Sequence, residues 1–148
     1  MNCTRRLAMV SVLVGLAGLV EGCSSGPNSR LVTVRSSGDS PNIDFTVKNL
    51  SGVPINSLFL AKTEAVNAAG QDLDDNSPAG QTLWGADLMV HAALADGDRQ
   101  PIAVPEPGLW DVRVLDRDSR YQHVTGLHLA AGGRYILELN PGGWRAKR

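Results

Sequence analysis

An antiparallel β-sandwich of about seven short strands, with little helix, is the fold this sequence predicts. Three observations lead there. Short stretches alternate apolar and polar residues with period two, the pattern of half-buried strands. Turn chemistry separates them at close intervals, drawn from 16 Gly and 8 Pro in 148 residues. Downstream of residue 23, no long stretch carries the 3.6-residue period of an amphipathic helix.

The elements follow in order. Arg30-Leu31-Val32-Thr33-Val34-Arg35 is β-branched and reads as an edge strand. Ile43, Phe45 and Val47 alternate with Asp44, Thr46 and Lys48, and Asn49-Leu50-Ser51-Gly52 turns the chain. Ile55 to Ala61 is the next strand; Leu58-Phe59-Leu60 is apolar on both faces, as a strand covered on both sides would be. From Lys62 to Gly80 the pattern lapses. Ala65 to Ala69 has the composition for one helical turn, and Gly70 to Gly80 is acidic and turn-rich. Leu83 to Met89 is a compact apolar element that fits neither template. Gln100 to Pro105 is a strand bounded by prolines, which confines it to an edge. Trp110, Val112 and Val114 then alternate with Asp111, Arg113 and Leu115, placing Trp110 in the core and Asp111 and Arg113 on the opposite face. Asp116 to Ser119 forms a hairpin loop. Tyr121 to Leu129 returns, with a bulge at Gly126 because the apolar parity slips between Val124 and Leu127. Ala131-Gly132-Gly133 turns into the last strand, where Tyr135, Leu137 and Leu139 alternate with Arg134, Ile136 and Glu138.

The N-terminus carries a different message. Arg5-Arg6 precede an apolar run from Leu7 to Val20, and Glu21-Gly22-Cys23-Ser24-Ser25 follow. A basic head, a short apolar stretch and a small residue before a cut site are the parts of a secretory signal peptide. The run is shorter than the roughly 20 residues needed to span a bilayer as helix. The segment Leu19-Val20-Glu21-Gly22-Cys23 resembles the lipobox of bacterial lipoproteins, although Glu21 stands where a small or apolar residue is usual. That resemblance implies cleavage before Cys23, a diacylglycerol on its thiol, and a membrane partner held by lipid. Ser24 and Ser25 resemble the pattern sent to the outer membrane. Cys3 would leave with the signal, so Cys23 would remain as the only thiol, and acylation accounts for an otherwise odd cysteine.

The expected organisation is therefore a signal peptide over 1–22, a lipidated Cys23 and tether over 23–41, a sandwich over 42–140 and a basic tail over 141–148. Loss of Arg5, Arg6 and Glu21 takes the 14 basic and 15 acidic residues to 12 and 14, a formal side-chain charge of −2. Such a balance makes no electrostatic case for nucleic acid. Aromatic residues are 5% of the chain, so the core must be mostly Val, Leu and Ile.

A second resemblance lies in Asn49-x-Ser51-Gly52-x-x-Ile55, Trp84-Gly85-x-Asp87-Leu88, Gly97, and Gly108-x-Trp110-Asp111-Val112-Arg113 with Asp116 after it. The series is similar to a widespread group of small exported bacterial domains with immunoglobulin-like sandwiches and no settled biochemical function. It covers about Asp44 to Leu139, and the acidic stretch before Trp84 departs from it.

Candidate sites are few. Asp72, Asp74, Asp75 and Asn76 gather oxygen ligands of the kind calcium prefers, at a spacing unlike an EF-hand; the other reading is a solvated acidic loop. Trp84 with Asp87 has the chemistry to stack on and hydrogen-bond a sugar or peptide; the other reading is a Trp plugging the sandwich and an Asp capping a turn. Asp116 and Asp118 read as turn carboxylates. His123 and His128 fall on opposite faces of a regular strand and would share a metal only across a bulge. No zinc, nucleophile-elbow or cofactor motif is present. The expectation is a non-enzymatic envelope protein that contacts another envelope protein, with a ligand- or calcium-binding accessory domain as the alternative.

Overall fold

The computed structural model describes residues 29–34, 41–70 and 76–146. Seven strands run as β1 (Arg30–Val34), β2 (Asp44–Asn49), β3 (Ile55–Lys62), β4 (Arg99–Ile102), β5 (Gly108–Asp116), β6 (Tyr121–Leu129) and β7 (Arg134–Leu139). Two helices, α1 (Thr63–Ala69) and α2 (Pro78–Trp84), lie between β3 and β4. The strands form two sheets, β1-β7-β2-β4 and β3-β5-β6.

The sheets face each other across one core, as the alternation requires. Phe45, Val47, Ile102, Tyr135, Leu137 and Leu139 come from the first sheet; Ile55, Leu58, Trp110, Val112, Val114, Leu127 and Leu129 come from the second. All are buried. Each such aliphatic or aromatic side chain contributes about 1.5–3 kcal/mol by leaving water.

Four features differ from the sequence expectation. First, the strand pairing is not wholly antiparallel: β2 runs parallel to β7, from Asp44 beside Arg134 to Asn49 beside Leu139. Parallel neighbours cannot be joined by a hairpin, and the chain between these two builds the entire second sheet. Second, the edge strand expected over Arg30–Arg35 forms as β1, but it belongs to the sandwich that was expected to start at residue 42: it pairs with β7 along its whole length. Third, the tail is packed as far as Arg145. Pro141–Gly143 makes a 3₁₀ turn, Trp144 packs against the core, and Arg145 bridges Tyr121.

The fourth difference matters most. The outer face of β3-β5-β6 is covered. Ala61, Val66 and Trp84 form a second apolar cluster there, with Phe59 and Leu83 against it. α2 carries clear end signals: the Ser77 hydroxyl accepts from Gly80 N at 3.0 Å, Pro78 fills the first turn, and Gly85 ends it at φ +69°. With this cover on, Trp110 through Val114 are buried without interruption, so Asp111 and Arg113 sit under protein rather than in water.

Candidate functional site

The quoted motif residues around the turns are structural. Asn49 is fully buried. Its amide donates to Val53 O at 2.8 Å and Leu94 O at 2.9 Å, while its Oδ1 accepts from Ser51 N and Ser51 Oγ at 3.0 and 2.7 Å. Gly97 N donates to Asn49 O at 2.6 Å. These bonds tie the loop after β2 to the segment leading into β4.

Asp87 has a similar duty. Its Oδ1 accepts from Leu58 N and from Met89 N, each at 3.0 Å. Leu88 N adds a bond to Leu58 O at 2.8 Å. Together they fasten the segment after α2 along the free edge of β3. Trp84 points elsewhere. It is buried beneath α2, its ring edge-on to His123 at 5.4 Å between centroids. Arg113 lies with its guanidinium carbon 4.6 Å from the Trp84 centroid and 5.1 Å from that of Tyr121. Trp84 and Asp87 therefore do not converge on one recess.

What the helices cover is a polar cluster built on Asp111. The bulge in β6 sets Thr125 and Gly126 opposite this one residue, between the pairs Trp110–Leu127 and Val112–Val124. Gly126 adopts φ +68°, a left-handed conformation that favours glycine. That turn aims Gly126 N at Asp111 Oδ1, 3.0 Å away. Thr63, the first residue of α1, donates its hydroxyl to the same oxygen at 2.6 Å. His123 Nε2 lies 2.8 Å from Oδ2. The Asp111 side chain is 0% exposed and that of His123 is 5% exposed. Burial pushes the Asp111 carboxyl up, but the hydrogen bonds from His123, Thr63 and Gly126 N and the charge of His123 outweigh it, holding the carboxyl below its ordinary value.

The arrangement is not that of a nucleophile and its base. In a triad the hydroxyl bonds the imidazole, and the carboxylate orients the imidazole from its other side. Here Thr63 and His123 both bond the carboxylate. The cluster joins α1, β5 and β6, and its polar groups are engaged with one another.

Of the acidic stretch, Asp72, Asp74 and Asp75 lie outside the described residues, as does Cys23. Asn76 sits just ahead of α2, its carbonyl accepting from Gln81 Nε2 at 3.3 Å. The bulge changes the relation of the histidines. His123 and His128 now share the outer face of β6, but His123 is engaged with Asp111, and among the described residues no three potential metal ligands gather. Asp116 is a turn carboxylate, accepting from Asp118 N and Arg120 N at 2.9 Å each.

Among the described residues, recesses open at both ends of the sandwich. One of about 500 Å³ lies between residues 122–125 of β6 and the returning Gly142–Arg145, with Ser29 at its rim. The other, about 330 Å³, lies at the opposite end between Lys62 to Asn67 and Gly108-Leu109. Leu109 is exposed there, and Val90 is exposed on the loop after α2.

The Asp111 cluster was absent from the sequence expectation. Its one legible signal was Gly126, where the parity slip marked a bulge facing β5. Comparison with protein-family models, curated proteins and solved structures gives no match.

Proposed function

We propose that this protein is a lipid-anchored component of the cell envelope whose immunoglobulin-like sandwich serves a non-enzymatic binding or structural role, through contact with another envelope protein. The observation that carries the reading is Leu19-Val20-Glu21-Gly22-Cys23 behind a basic head and a short apolar run, with Cys23 the only thiol left after cleavage. Ser24 and Ser25 direct the anchored product to the outer membrane. Two features of the domain support a binding role. Its buried Asp111–His123 pair is engaged within the fold rather than presented to a substrate. Its exposed apolar side chains, Val90 and Leu109, stand at loops and strand ends, where a partner can reach them.

The test compares wild type with Cys23→Ser by intact mass and membrane fractionation. Acyl mass on Cys23 and sedimentation with the outer membrane, both lost in the variant, are expected. An unmodified, freely exported wild type would overturn the anchor. Crosslinking from Val90 and Leu109 positions in whole cells then identifies the contact.

A further inference from the structure

We infer that the free edge of β6 takes an extended C-terminal peptide of a partner protein, paired antiparallel, with the peptide's terminal carboxylate seated in the recess against Gly142–Arg145. The site rests on the binding role proposed above, for which it names the partner's segment, and not on the lipid anchor.

The described strands leave one long edge unguarded. β3 is fastened: Leu88 N donates to Leu58 O at 2.8 Å, and Ile55 and Leu94 exchange both backbone bonds at 3.0 and 2.8 Å. β4 has four residues and contains Pro101. β1 has five and carries Arg30, paired with Glu138. β6 has nine residues with no Pro, Lys, Arg, Asp or Glu among them, and β5 is its strand neighbour. Prolines, charges, short length and covering segments are how sheet edges avoid strand addition; β6 has only its bulge.

The chain itself pairs with the start of this edge. Arg145 exchanges both backbone hydrogen bonds with Tyr121, at 2.9 and 2.8 Å, on the side away from β5. Antiparallel ladders alternate, so the N–H and C=O of His123 point the same way. Thr125 and Gly126 share one place in the ladder, so Val124 and Leu127 both pair inward, with Val112 and Trp110. His128 therefore points outward again. Among the described residues no strand meets His123 or His128 from that side.

Direction and terminus follow from the same end. An antiparallel partner runs from Leu129 toward Tyr121. It cannot pass Tyr121, whose outward groups Arg145 already holds, so it ends beside residues 122–125. There the recess of about 500 Å³ opens between β6 and the returning chain. A strand that stops in a recess is best a chain terminus. The lining offers the Arg145 guanidinium and the Thr125 hydroxyl and contains no Asp or Glu. Asp111, behind His123, is already engaged by three donors. These are donors for a carboxylate. A parallel partner would bring its ammonium to Arg145 instead, and the two repel. Val124, half-buried against the core, favours an apolar side chain on the peptide residue beside it.

The full-length protein in detergent micelles is panned against bead-bound random hexapeptides with free carboxyl ends, each about 20 Å long when extended. Selected peptides, labelled at the N-terminus, are titrated by fluorescence anisotropy. Amidation of the C-terminus should weaken binding about tenfold. Arg145→Gln should weaken the free acid by a similar factor and leave the amide unchanged. N-methylation at alternate peptide residues should abolish binding in one parity and spare it in the other. Hydrogen exchange at the His123 and His128 amides should slow on binding. Amides that bind as tightly as acids would overturn the carboxylate site, and protection confined to other surfaces would overturn the edge. Protection of His123 and His128 that grows with protein concentration alone would give the edge to a second copy instead. A library without binders, while whole-cell crosslinks from Val90 or Leu109 still name an envelope partner, would overturn the peptide site and leave the binding role standing. Absence of both would overturn the two together.

Discussion

Removing the Asp111 carboxylate tests whether the cover on the second sheet is held by the cluster beneath it. Asp111→Ala strips an acceptor from Thr63 Oγ1, Gly126 N and His123 Nε2, bonded at 2.6, 3.0 and 2.8 Å. A hydrogen bond to a charged group contributes about 1.5–3 kcal/mol, and three on one carboxylate are not additive. Breaking a buried pair from one side costs about 3–5 kcal/mol, which sets the expected loss. For a domain of this size that lowers the melting midpoint by about 12–20 °C. Urea unfolding followed by circular dichroism should show a lower midpoint at unchanged slope. The pH dependence gives an independent check. The Asp111 carboxyl is held below its ordinary value, so it stabilises the fold above the unfolded value. That contribution fades as pH falls through the lower folded one. Asp111→Asn should therefore flatten the stability profile below about pH 4 relative to wild type. A loss under about 1 kcal/mol in Asp111→Ala, the range of a solvated carboxylate, would refute the cluster as the clamp.

The remaining predictions concern the same cover. Gly126→Ala forces a side chain into the φ +68° conformation and should cost about 1–2 kcal/mol in urea unfolding, with the fold retained. Asp87→Ala leaves Leu58 N and Met89 N without their acceptor. It should cost about 1–3 kcal/mol and speed hydrogen exchange at the Leu58 amide before the rest of β3. Trp84→Ala empties the centre of the second cluster and should cost about 3–5 kcal/mol, whereas a solvent-facing ligand platform would lose far less.

Most of the first sheet and the inner face of the second were legible because one rule governs them. Phe45, Val47, Tyr135, Leu137 and Leu139 repeat every second residue, and that period decides which face is buried before any partner strand is known. Gly126 was legible for the same reason, since a bulge is a break in parity. The parallel pairing of β2 with β7 was not. Alternation gives the face of a strand but not its neighbour or their relative direction, which depend on where the intervening chain goes. The edge strand over Arg30–Val34 was legible in its four β-branched and apolar residues, but not its partner, because composition does not say which strand an edge joins.

The cluster at Asp111 escaped because the same alternation misleads there. A polar residue between Trp110 and Val112 reads as solvent-facing, and that holds only while the outer face is bare. Whether it is bare depended on 63–84, where turn-rich composition masked the end signals of α2: Ser77, Pro78 and Gly85 bracket seven residues, too few for periodicity to register. Once α2 is granted, Trp84 must cover β5 and β6, and the polar residues beneath it must find partners or destabilise the fold. Asp111, Thr63, His123 and the Gly126 amide are that solution. The resemblance series Trp84-Gly85-x-Asp87 and Trp110-Asp111-Val112-Arg113 is then explained without a ligand. Trp84 and Gly85 end the covering helix, Asp87 fastens the chain after it to β3, and Asp111 locks the underside. Among the described residues the exposed large apolar side chains, Val90 and Leu109, are not motif residues of this series, and neither spacing nor residue type marks them.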